Sequence, residues 1–432
     1  PGRLGYDPVM TNPAIHITGK PYVPGRVRGM LQRGMRNNPA GKIVMLEQPL
    51  PGPFESPPAG FIVVDGAPFS HGLIPLLGSG VPAILIDRGQ SRVLQAGMEL
   101  LLDGSTGLLT SNLSAHICAR EPVVASAGAA VTRDGVAVTL RVSARGKRAV
   151  QSAVEAGARA IGLLRSEFLV PEDGRLPDAA FYHSAFRILC EAAAGLPLTI
   201  RLFDAAASKR PPWLPHAGVL GRQGVRLYDE EPLHGIYRAQ LEAIADLAGE
   251  CDVRVILPYV ADLEELQYWH DDIRRQLPGS VAIGAMAETP AAALQLREWL
   301  EVVELVAIGC NDLMQCLFGA DRDQPELSRY LDPQAPALYR FLWQVADAVP
   351  EQRLDAVQLC GVLPQLPGIL PLLLGIGYRT FSVEAALLPH LWQTIASTHT
   401  GEARVLAERV CRARSSVDVR ELLGTHADPI RA

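Results

Sequence analysis

Five apolar runs that each end in a polar side chain constrain the fold of this chain most strongly. They lie at 161–167 (IGLLRSE), 198–204 (LTIRLFD), 283–288 (IGAMAE), 306–312 (VAIGCND) and 357–361 (VQLCG). Runs that are apolar without alternation are typical of parallel strands buried on both faces. Polar residues at the carboxyl ends of several such strands are typical of a barrel whose active site lies at one rim. The sequence therefore predicts an α/β fold built on a parallel barrel.

The polar residues at these strand ends are of three kinds. Two arginines, Arg165 and Arg201, suit the binding of a phosphate or a carboxylate, because a guanidinium can donate two parallel hydrogen bonds. Oxygen-bearing side chains that suit a hard divalent cation form the second kind, namely Glu288, Asn311 and Asp312. Cys360 carries a thiol that can transfer a proton. This mixture predicts an anionic substrate, a metal ion and proton transfer at one site.

Eight segments are predicted to be barrel strands: 137–143, 159–164, 198–203, 253–258, 281–287, 304–309, 356–361 and 379–383. Amphipathic stretches with helical spacing lie between them, at 180–193, 233–247, 263–276 and 290–300. The basic segment 220–227 precedes the fourth strand and is predicted to be a loop over the site. A charged stretch at 402–423 is predicted to form one helix against the outside of the barrel.

Length and composition indicate a soluble protein of two domains. A chain of 432 residues exceeds the size at which a single core usually keeps growing. The formal net charge of −6, without a basic stripe, argues against a nucleic-acid partner. The longest apolar stretch, 368–377, contains Pro371 and is too short for a bilayer, and the start of the chain lacks a signal-peptide pattern. We therefore expect a cytoplasmic protein without a membrane anchor.

The seven cysteines are widely spaced and contain no CxxC pair, so they predict neither a disulfide framework nor a zinc site. Near the N-terminus, strand-like runs at 60–65 (GFIVVD) and 81–87 (VPAILID) flank a short segment around His71, which suggests a small α/β domain. The first sixty residues are rich in Gly and Pro and are predicted to be loop-rich, with short strand-like pieces such as 42–46 that alternate with turns. We place the domain boundary between residues 125 and 126.

Residues from about 130 to 400 resemble the C-terminal barrel of phosphoenolpyruvate-utilising enzymes, and most closely that of the enzyme I group of bacterial phosphotransferase systems. The matching blocks are 162–168 (GLLRSEF), 200–204 (IRLFD), 288–293 (ETPAAA), 308–315 (IGCNDLMQ), Asp321-Arg322, Cys360-Gly361 and 371–377 (PLLLGIG). Several specific blocks in the family's order make a far stronger match than any one of them. The resemblance implies a (β/α)8 TIM barrel, at 126–432, that binds phosphoenolpyruvate.

A second matching segment lies before the barrel. The stretch 65–72 (DGAPFSHG) resembles the phosphohistidine segment of the same enzymes, and 80–84 (GVPAI) resembles the strand that follows it. The resemblance implies that 1–125 is a swivelling domain and that His71 accepts the phosphoryl group. We expect His71 at a helix N-terminus, where backbone N–H groups favour an anion. Taken alone, a single histidine would instead be interpreted as an ordinary turn or surface residue.

The resemblance also implies roles for the barrel residues. Arg165, Arg201 and Arg322 would clamp the phosphate and the carboxylate of phosphoenolpyruvate, and Asn311 would donate to a phosphate oxygen. The alternative for the strand-end arginines is that they only pair with neighbouring acids such as Glu167 and Asp204.

Metal binding and proton transfer are implied for the remaining residues. Glu288 and Asp312 would hold Mg2+, and Cys360 would protonate the enolate that phosphoryl transfer leaves behind. The alternatives are a buried salt bridge for the two carboxylates and a small core residue for Cys360.

The chain departs from the family at five positions near these groups. Around His71 it has Phe69, Gly72 and Leu77, where the family has Thr, a small residue with a side chain, and Arg. In the barrel it has Gln223 and Val362, where the family has Arg and Glu. These positions bear on affinity and turnover, and they leave the core clamp intact.

Together these observations predict a Mg2+-dependent phosphotransferase that moves a phosphoryl group from phosphoenolpyruvate to His71 and releases pyruvate. We expect a homodimer, and we expect onward transfer to an acceptor protein or a nucleotide-binding subunit that is a separate partner. Two alternatives stay open. One is a regulatory protein that binds phosphoenolpyruvate or pyruvate without transfer, and the other is a Mg2+-dependent lyase or aldolase of 2-oxo acids.

Overall fold

Two compact units make up the structure, a computed structural model that describes residues 15–35, 38–47, 56–112, 130–171, 173–204, 213–214 and 221–424. Of these residues, the first unit holds the described parts of 15–66 and 81–112, and the second holds 67–80 and the described parts of 130–424. The short helix α1 (Ile74–Ser79) therefore belongs to the second unit, whereas α2 (Arg88–Ser91) belongs to the first. The domain boundary near residue 125 stays a prediction.

The first unit is built on one sheet of eight strands. These are β1 (His16–Thr18), β2 (Lys20–Val23), β3 (Arg26–Arg33), β4 (Lys42–Leu46), β5 (Gly60–Val64), β6 (Ala83–Ile86), β7 (Glu99–Asp103) and β8 (Leu108–Thr110). Strands β3 to β6 pair in parallel, and the outer strands pair antiparallel to their neighbours. The apolar runs predicted at 60–65 and 81–87 supply two of the parallel strands. Within the described part of the first sixty residues, β4 is the strand-like piece that was predicted at 42–46, and β1 to β3 are further short strands.

Eight parallel strands of the second unit close into a barrel. They are β10 (Ala137–Ala144), β11 (Ile161–Arg165), β12 (Leu198–Arg201), β13 (Val253–Val260), β14 (Ala282–Ala287), β15 (Leu305–Gly309), β16 (Val357–Cys360) and β17 (Thr380–Val383), with the short β9 (Ala130–Val131) antiparallel beside β10. Closure comes from β10, which pairs with both β11 and β17. The predicted α/β fold with a TIM barrel is confirmed, because all eight strands lie within a few residues of their predicted positions.

Helices cover the outside of the barrel strands. They are α3 (Lys147–Glu155), α4 (Ala179–Ala193), α5 (Leu233–Leu247), α6 (Leu263–Gln276), α7 (Pro290–Ala293), α8 (Leu296–Val302), α9 (Cys310–Phe318), α10 (Pro336–Ala348), α11 (Ile369–Ile376), α12 (Leu388–Ser397), α13 (Thr400–Arg412) and α14 (Ser416–Leu422). Short 3-10 helices add Ser166–Phe168, Gly224–Leu227, Pro325–Tyr330, Glu351–Ala356, Leu363–Gln365 and Ala385–Leu387. Among the described residues, no helix is both long enough and apolar enough to cross a bilayer.

Two details of the helices differ from the sequence-based expectation. The stretch predicted as one helix at 290–300 is divided into α7 and α8. The stretch at 402–423 is divided into α13 and α14, because Ser415 caps the second helix with its side chain. Helix α11 is buried in the monomer and packs closely on α13, where a Cβ on Gly375 would lie 2.2 Å from the carbonyl oxygen of Ala403. Its apolar character thus belongs to the core and gives no support to a dimer interface.

Candidate functional site

A cavity of about 560 Å3 opens at the carboxyl ends of the barrel strands. Every predicted site residue except His71 lines it, and these residues are Arg165, Arg201, Glu288, Asn311, Asp312, Arg322 and Cys360. Other lining residues are Ile74, Ser143, Arg145, Leu163, Met286, Gly309, Gly361, Gln365 and Glu384. The barrel therefore gathers side chains that are far apart in sequence into one charged cavity, as expected for the rim of this fold.

Arg201 lines the cavity, and neighbouring carboxylates hold its guanidinium. Its Nη2 donates to Glu167 Oε1, and its Nη1 lies 3.1 Å from Asp204 Oδ2. Burial alone would lower the pKa of Arg201, but Glu167, Asp204 and Glu288 outweigh burial and raise it. The predicted alternative, pairing with Glu167 and Asp204, is thus present, yet the buried Nε has no hydrogen-bond partner among the described residues. That nitrogen is available to a bound anion.

Arg165 shares the same carboxylate and keeps its outer nitrogens free. Its Nε donates to Glu167 Oε1 at 2.9 Å, and its guanidinium carbon lies 5.1 Å from the centre of the Phe168 ring. Burial lowers the pKa of Arg165, while Glu167 opposes that effect. Within the described residues, the two terminal nitrogens have no hydrogen-bond partner. A planar pair of donors of this kind suits a carboxylate or a phosphate.

Glu288 and Asp312 face the cavity from β14 and α9. The Oε2 of Glu288 accepts the backbone N–H of Tyr259 at 3.0 Å, and Asp312 Oδ2 accepts from Arg322 Nη2 at 3.1 Å. Burial and the charge of Asp312 raise the pKa of Glu288 to about 8. Two acids that repel each other in this way gain stability when a cation lies between them.

The donor set fits a magnesium ion better than a metal that is held by protein ligands alone. Among the described residues, no group of three or more His, Cys, Asp and Glu side chains is arranged to hold a metal. Mg2+ is usually bound by one or two carboxylates, with substrate oxygens and water completing its shell. Glu288 and Asp312 are therefore suitable Mg2+ ligands.

The orientation of Asn311 follows from its backbone partner. Its Oδ1 accepts the N–H of Val362 at 2.9 Å, which leaves the amide nitrogen as the group free to donate. Gly361 makes this approach possible, because a Cβ there would lie 2.7 Å from Asn311 Oδ1 and its φ is +99°. The Asn311 side chain can thus offer a neutral N–H to a ligand in the cavity.

Cys360 ends β16 with its thiol buried at the cavity wall. Its Sγ donates to the carbonyl oxygen of Ile308 at 3.4 Å, and the side chain belongs to an apolar cluster with Leu163 and Met286. Burial and the charge of Glu288 raise the pKa of the thiol to about 12. The sulfur therefore keeps its proton at neutral pH, as an acid must before it acts.

His71 lies in a turn three residues before α1 begins, and not at the helix N-terminus that the sequence predicted. The backbone N–H and Nδ1 of His71 reach the two carboxylate oxygens of Asp323 at 3.0 and 2.8 Å. On the other side, Arg322 Nη2 lies 3.0 Å from His71 Nε2. Arginine can only donate, so Nε2 accepts, and Nδ1 carries the proton that Asp323 receives. This tautomer leaves a lone pair on Nε2.

The electrostatics around His71 favour its neutral form. Burial lowers the pKa of the imidazole; the hydrogen bond to Asp323 opposes that effect, and the charge of Arg322 adds to it. Asp323 itself stays ionised, because the contacts with His71 outweigh burial and lower its pKa to about 2. A neutral imidazole whose unprotonated Nε2 accepts from a guanidinium has the form that a nucleophile towards phosphorus requires, once an anion takes over that guanidinium donor.

Comparison with known proteins identifies the family to which this chain belongs. The pattern of the phosphoenolpyruvate-utilising enzymes, described as their phosphoenolpyruvate-binding domain, matches residues 122–400. The chain belongs to the phosphoenolpyruvate-utilising enzyme family. The matched range contains all eight barrel strands and every residue that lines the cavity except Ile74.

Individual members of the family align over most of the chain. A phosphoenolpyruvate-protein phosphotransferase of Streptomyces coelicolor is 32% identical over 387 residues, which cover 86% of this chain and 68% of the relative. The protein of the same name in Haloferax volcanii is 29% identical over 391 residues, with 84% and 68% covered. Multiphosphoryl transfer protein 1 of Escherichia coli is 26% identical over 392 residues, which cover 84% of this chain and 47% of that protein.

The departures from the family pattern occupy defined places. Phe69, Leu77 and Val362 are fully buried apolar side chains, so none of them presents a charge or an uncompensated polar group to the cavity. Gln223 precedes the 3-10 turn Gly224–Leu227, and Arg222 beside it pairs with an exposed glutamate on the surface. Segment 205–212, which includes the Ala-Ala-Ser that follows the third strand, lies outside the described residues.

Four residues at the site were not predicted from the sequence blocks that match the family. Asp323 directly follows the Asp321-Arg322 block, so its position could have suggested a role. Tyr259 acts through its backbone N–H, which leaves no signal in residue type. Arg145 and Glu384 follow strands β10 and β17 without an apolar run that ends in a recognised block.

Proposed function

We propose that this protein transfers a phosphoryl group from phosphoenolpyruvate to Nε2 of His71, with Mg2+, and releases pyruvate. The observation that carries the proposal is the position of the imidazole. His71 Nε2 lies 3.0 Å from Arg322, and the same guanidinium nitrogen lies 3.1 Å from Asp312, which lines the cavity. A phosphoryl group that bound Arg322 would take over this donor and would lie next to the Nε2 lone pair that the guanidinium releases.

The arginines would supply most of the positive charge that stabilises the substrate and the transferring phosphoryl group. Phosphoryl transfer makes little demand on covalent chemistry by the protein, so its rate depends on positioning and on charge stabilisation. The free terminal nitrogens of Arg165 and the buried Nε of Arg201 would bind the substrate carboxylate and a phosphate oxygen. Asn311 would donate its amide N–H to the phosphate without adding charge.

Mg2+ would be held by Glu288 and Asp312. There these two carboxylates would place a positive charge next to the phosphate, and that charge would stabilise the negative charge that develops as the bond to phosphorus breaks. The contact between Tyr259 N–H and Glu288 Oε2 fixes one oxygen of that carboxylate, which leaves the other oxygen for the ion. This division of the two oxygens supports a ligand role for Glu288.

Cys360 would complete the reaction. Loss of the phosphoryl group leaves pyruvate as its enolate, whose methylene carbon needs a proton. The thiol holds its proton because burial raises its pKa to about 12, and it lines the cavity beside Arg165 and Glu288. The sulfur would donate to C3 and then recover a proton from solvent.

Onward transfer from His71 would require a phosphoacceptor partner. The names of the relatives describe transfer to a protein, and one of them describes several phosphoryl transfers. We propose that a separate protein receives the phosphoryl group from His71. Dimerisation stays a prediction from the family resemblance.

The test is the labelling of the purified protein by radiolabelled phosphoenolpyruvate with Mg2+. We expect one acid-labile label on His71, detected as phosphohistidine by mass spectrometry of peptides. The variant His71→Ala should take up no label and still bind phosphoenolpyruvate in a thermal-shift assay. The exposed His234, replaced by alanine, serves as the matched control and should leave labelling unchanged.

The same experiment separates the alternatives. Binding of phosphoenolpyruvate to the wild type without any label would contradict transfer and favour a binding protein. A label that survives in His71→Ala would contradict the assignment of the acceptor.

A further inference from the structure

Two charged side chains line the cavity without a role in the proposed transfer. Arg145 follows β10, and Glu384 follows β17. Ser143 and Ser382 lie two residues earlier on the same strands, and their hydroxyls meet at 2.8 Å. Because side chains alternate along a strand, Arg145 and Glu384 point the same way as these serines and form the next layer above them.

The contacts of this pair are loose for side chains at such depth. Arg145 Nη2 lies 3.7 Å from Glu384 Oε1, which is beyond hydrogen-bond distance, and the two side chains are only 27% and 16% exposed. Neither side chain has a hydrogen bond within the described part of the chain. Polar side chains that are largely removed from solvent are normally hydrogen-bonded, so an ion pair without a hydrogen bond in a cavity wall indicates a place for a ligand group.

The surroundings hold both residues in place. The backbone N–H of Glu384 donates to Gln365 Oε1 at 2.8 Å, and Gln365 Nε2 donates to the carbonyl oxygen of Gly361 at 2.7 Å. The guanidinium of Arg145 lies 5.2 Å from the centre of the Phe168 ring, which Arg165 also contacts. The pair is therefore fixed between the candidate carboxylate ligand Arg165 and the strand that carries Cys360.

The position of the pair relates it to one atom of the proposed substrate. In the barrel, β17 lies between β16 and β10, and Cys360 is the register partner of Ser382. Glu384 is thus one layer above the neighbour of the proposed acid. The acid must face C3 of the enolate, so a group attached to C3 would extend towards Glu384 and Arg145.

We propose that Arg145 and Glu384 form a subsite for a hydroxyl group on a C3 substituent, so that the protein acts on enolpyruvyl substrates larger than phosphoenolpyruvate. This inference rests on the proposed function. A guanidinium only donates and a carboxylate only accepts, whereas a hydroxyl does both and satisfies both partners. A second carboxylate would meet the negative charge of Glu384, and a methyl group would leave both residues unpaired.

The probe is the exchange of C3 protons of 2-oxo acids with deuterium, followed by NMR in the presence of Mg2+ and inorganic phosphate. The four substrates are pyruvate, 2-oxobutyrate, 4-hydroxy-2-oxobutyrate and 2-oxoglutarate. We expect the hydroxylated acid to exchange about tenfold faster than 2-oxobutyrate, the size expected of one hydrogen bond to a charged group. The variants Arg145→Gln and Glu384→Gln should bring this ratio close to one.

The ratio is measured within each protein sample, so a partial loss of folded protein does not change it. Arg274→Gln is the matched control, because Arg274 is 28% exposed, pairs with a glutamate at 3.5 Å and does not line the cavity. This variant should keep the wild-type ratio.

The outcomes separate this inference from the proposed function. Pyruvate exchange in the wild type with a ratio near one would overturn the subsite alone. Absence of any pyruvate exchange would overturn the enolate half of the proposed function and the subsite with it. 2-Oxoglutarate could also exchange faster than 4-hydroxy-2-oxobutyrate, with this difference absent in Arg145→Gln. That result would show that the subsite binds a carboxylate and would overturn the proposal.

Discussion

The two halves of the barrel rim differ in how their charged side chains are paired. In the half from β11 to β15, which we call the anchored half, charged groups such as Arg201, Glu167 and Asp204 are paired with one another before any ligand binds. In the half from β16 through β17 to β10, which we call the open half, the side chains of Arg145 and Glu384 form only a 3.7 Å ion pair, without a side-chain hydrogen bond in the described residues. The difference indicates that the anchored half is preorganised for charge and that the open half depends on what binds.

Removing the charge of Glu167 should give the largest effect, because this carboxylate joins two arginines of the anchored half. Glu167 accepts from Arg165 Nε at 2.9 Å and from Arg201, and it is 6% exposed. Breaking a buried pair leaves an uncompensated charge and costs about 3–5 kcal/mol. We expect Glu167→Gln to lower the free energy of unfolding by that amount in urea titrations.

The open half provides the matched control for this change. Glu384→Gln removes the same charge from a side chain that forms no hydrogen bond in the described part of the chain, so its effect on unfolding should be under about 1 kcal/mol. Equal losses in the two variants would contradict the division of the rim into anchored and open halves.

A smaller effect is expected from Gly224, which supports the anchored half from outside the cavity. A Cβ on Gly224 would lie 2.5 Å from the carbonyl oxygen of Pro258 and 2.6 Å from Cβ of Tyr259. Tyr259 has a φ of +54° and donates its N–H to Glu288, so displacement of this residue would release the carboxylate. We expect Gly224→Ala to weaken binding of Mn2+, used as a Mg2+ substitute, about tenfold in calorimetric titrations, as changes next to metal ligands do.

Gly221 separates the effect of displacement from that of backbone strain. It also has a positive φ, of +85°, but a Cβ there would meet only a flexible arginine side chain, at 3.3 Å. Gly221→Ala should therefore cost about 1 kcal/mol of stability and leave Mn2+ affinity unchanged. The same loss of affinity in both variants would show that Tyr259 does not position Glu288.

The rate of His71 phosphorylation should fall by less than about a factor of four between pH 7.5 and pH 6. The acceptor must be neutral, and burial lowers the pKa of His71 below its ordinary value. A histidine with a pKa of about 6.5 would be about three-quarters protonated at pH 6. Because the pKa of His71 is lowered, more of its imidazole stays neutral at pH 6. The rate of phosphohistidine formation should therefore fall less between pH 7.5 and pH 6 than it would for a histidine with the ordinary pKa.

Asp323 provides a check on the cause of this pH dependence. Its contact with His71 raises the pKa of the imidazole, so Asp323→Asn should move the acid limb to still lower pH. An acid limb above pH 6.5 in the wild type, or its movement to higher pH in Asp323→Asn, would contradict this account.

The anchored half could be predicted from the sequence much more fully than the open half. Its strands are apolar runs that end in Arg165, Arg201, Glu288 and Asp312, so barrel geometry alone brings these residues to one rim. Burial of the strands on both faces makes the runs conspicuous. The barrel itself and the seven residues proposed in it as ligands or as the acid could thus be located before the structure was known, since all seven line the cavity.

The parts that could not be predicted depend on backbone geometry or on loose contacts. The left-handed conformation of Tyr259 and the turn that carries His71 arise from packing and not from residue type. Arg145 and Glu384 are ordinary surface types in sequence, and only strand register brings them together. The alternative of arginines paired with Glu167 and Asp204 was correct for those contacts, because a buried guanidinium needs partners even where it can also bind a ligand.

The smallest effect is expected on phosphoryl transfer when the proposed acid of the open half is removed. Cys360 acts on the enolate after the bond to phosphorus has broken, so Cys360→Ala should change the rate of His71 labelling less than about twofold. The same variant should slow C3 proton exchange of pyruvate by at least about a hundredfold, the usual contribution of a general acid. The control is Cys310→Ala, because both thiols are buried and both donate to the carbonyl of Ile308, but only Cys360 lines the cavity. If Cys310→Ala slows exchange as much as Cys360→Ala does, the thiol proton of Cys360 is not the one delivered to C3, because disturbed packing around Ile308 would then account for both losses.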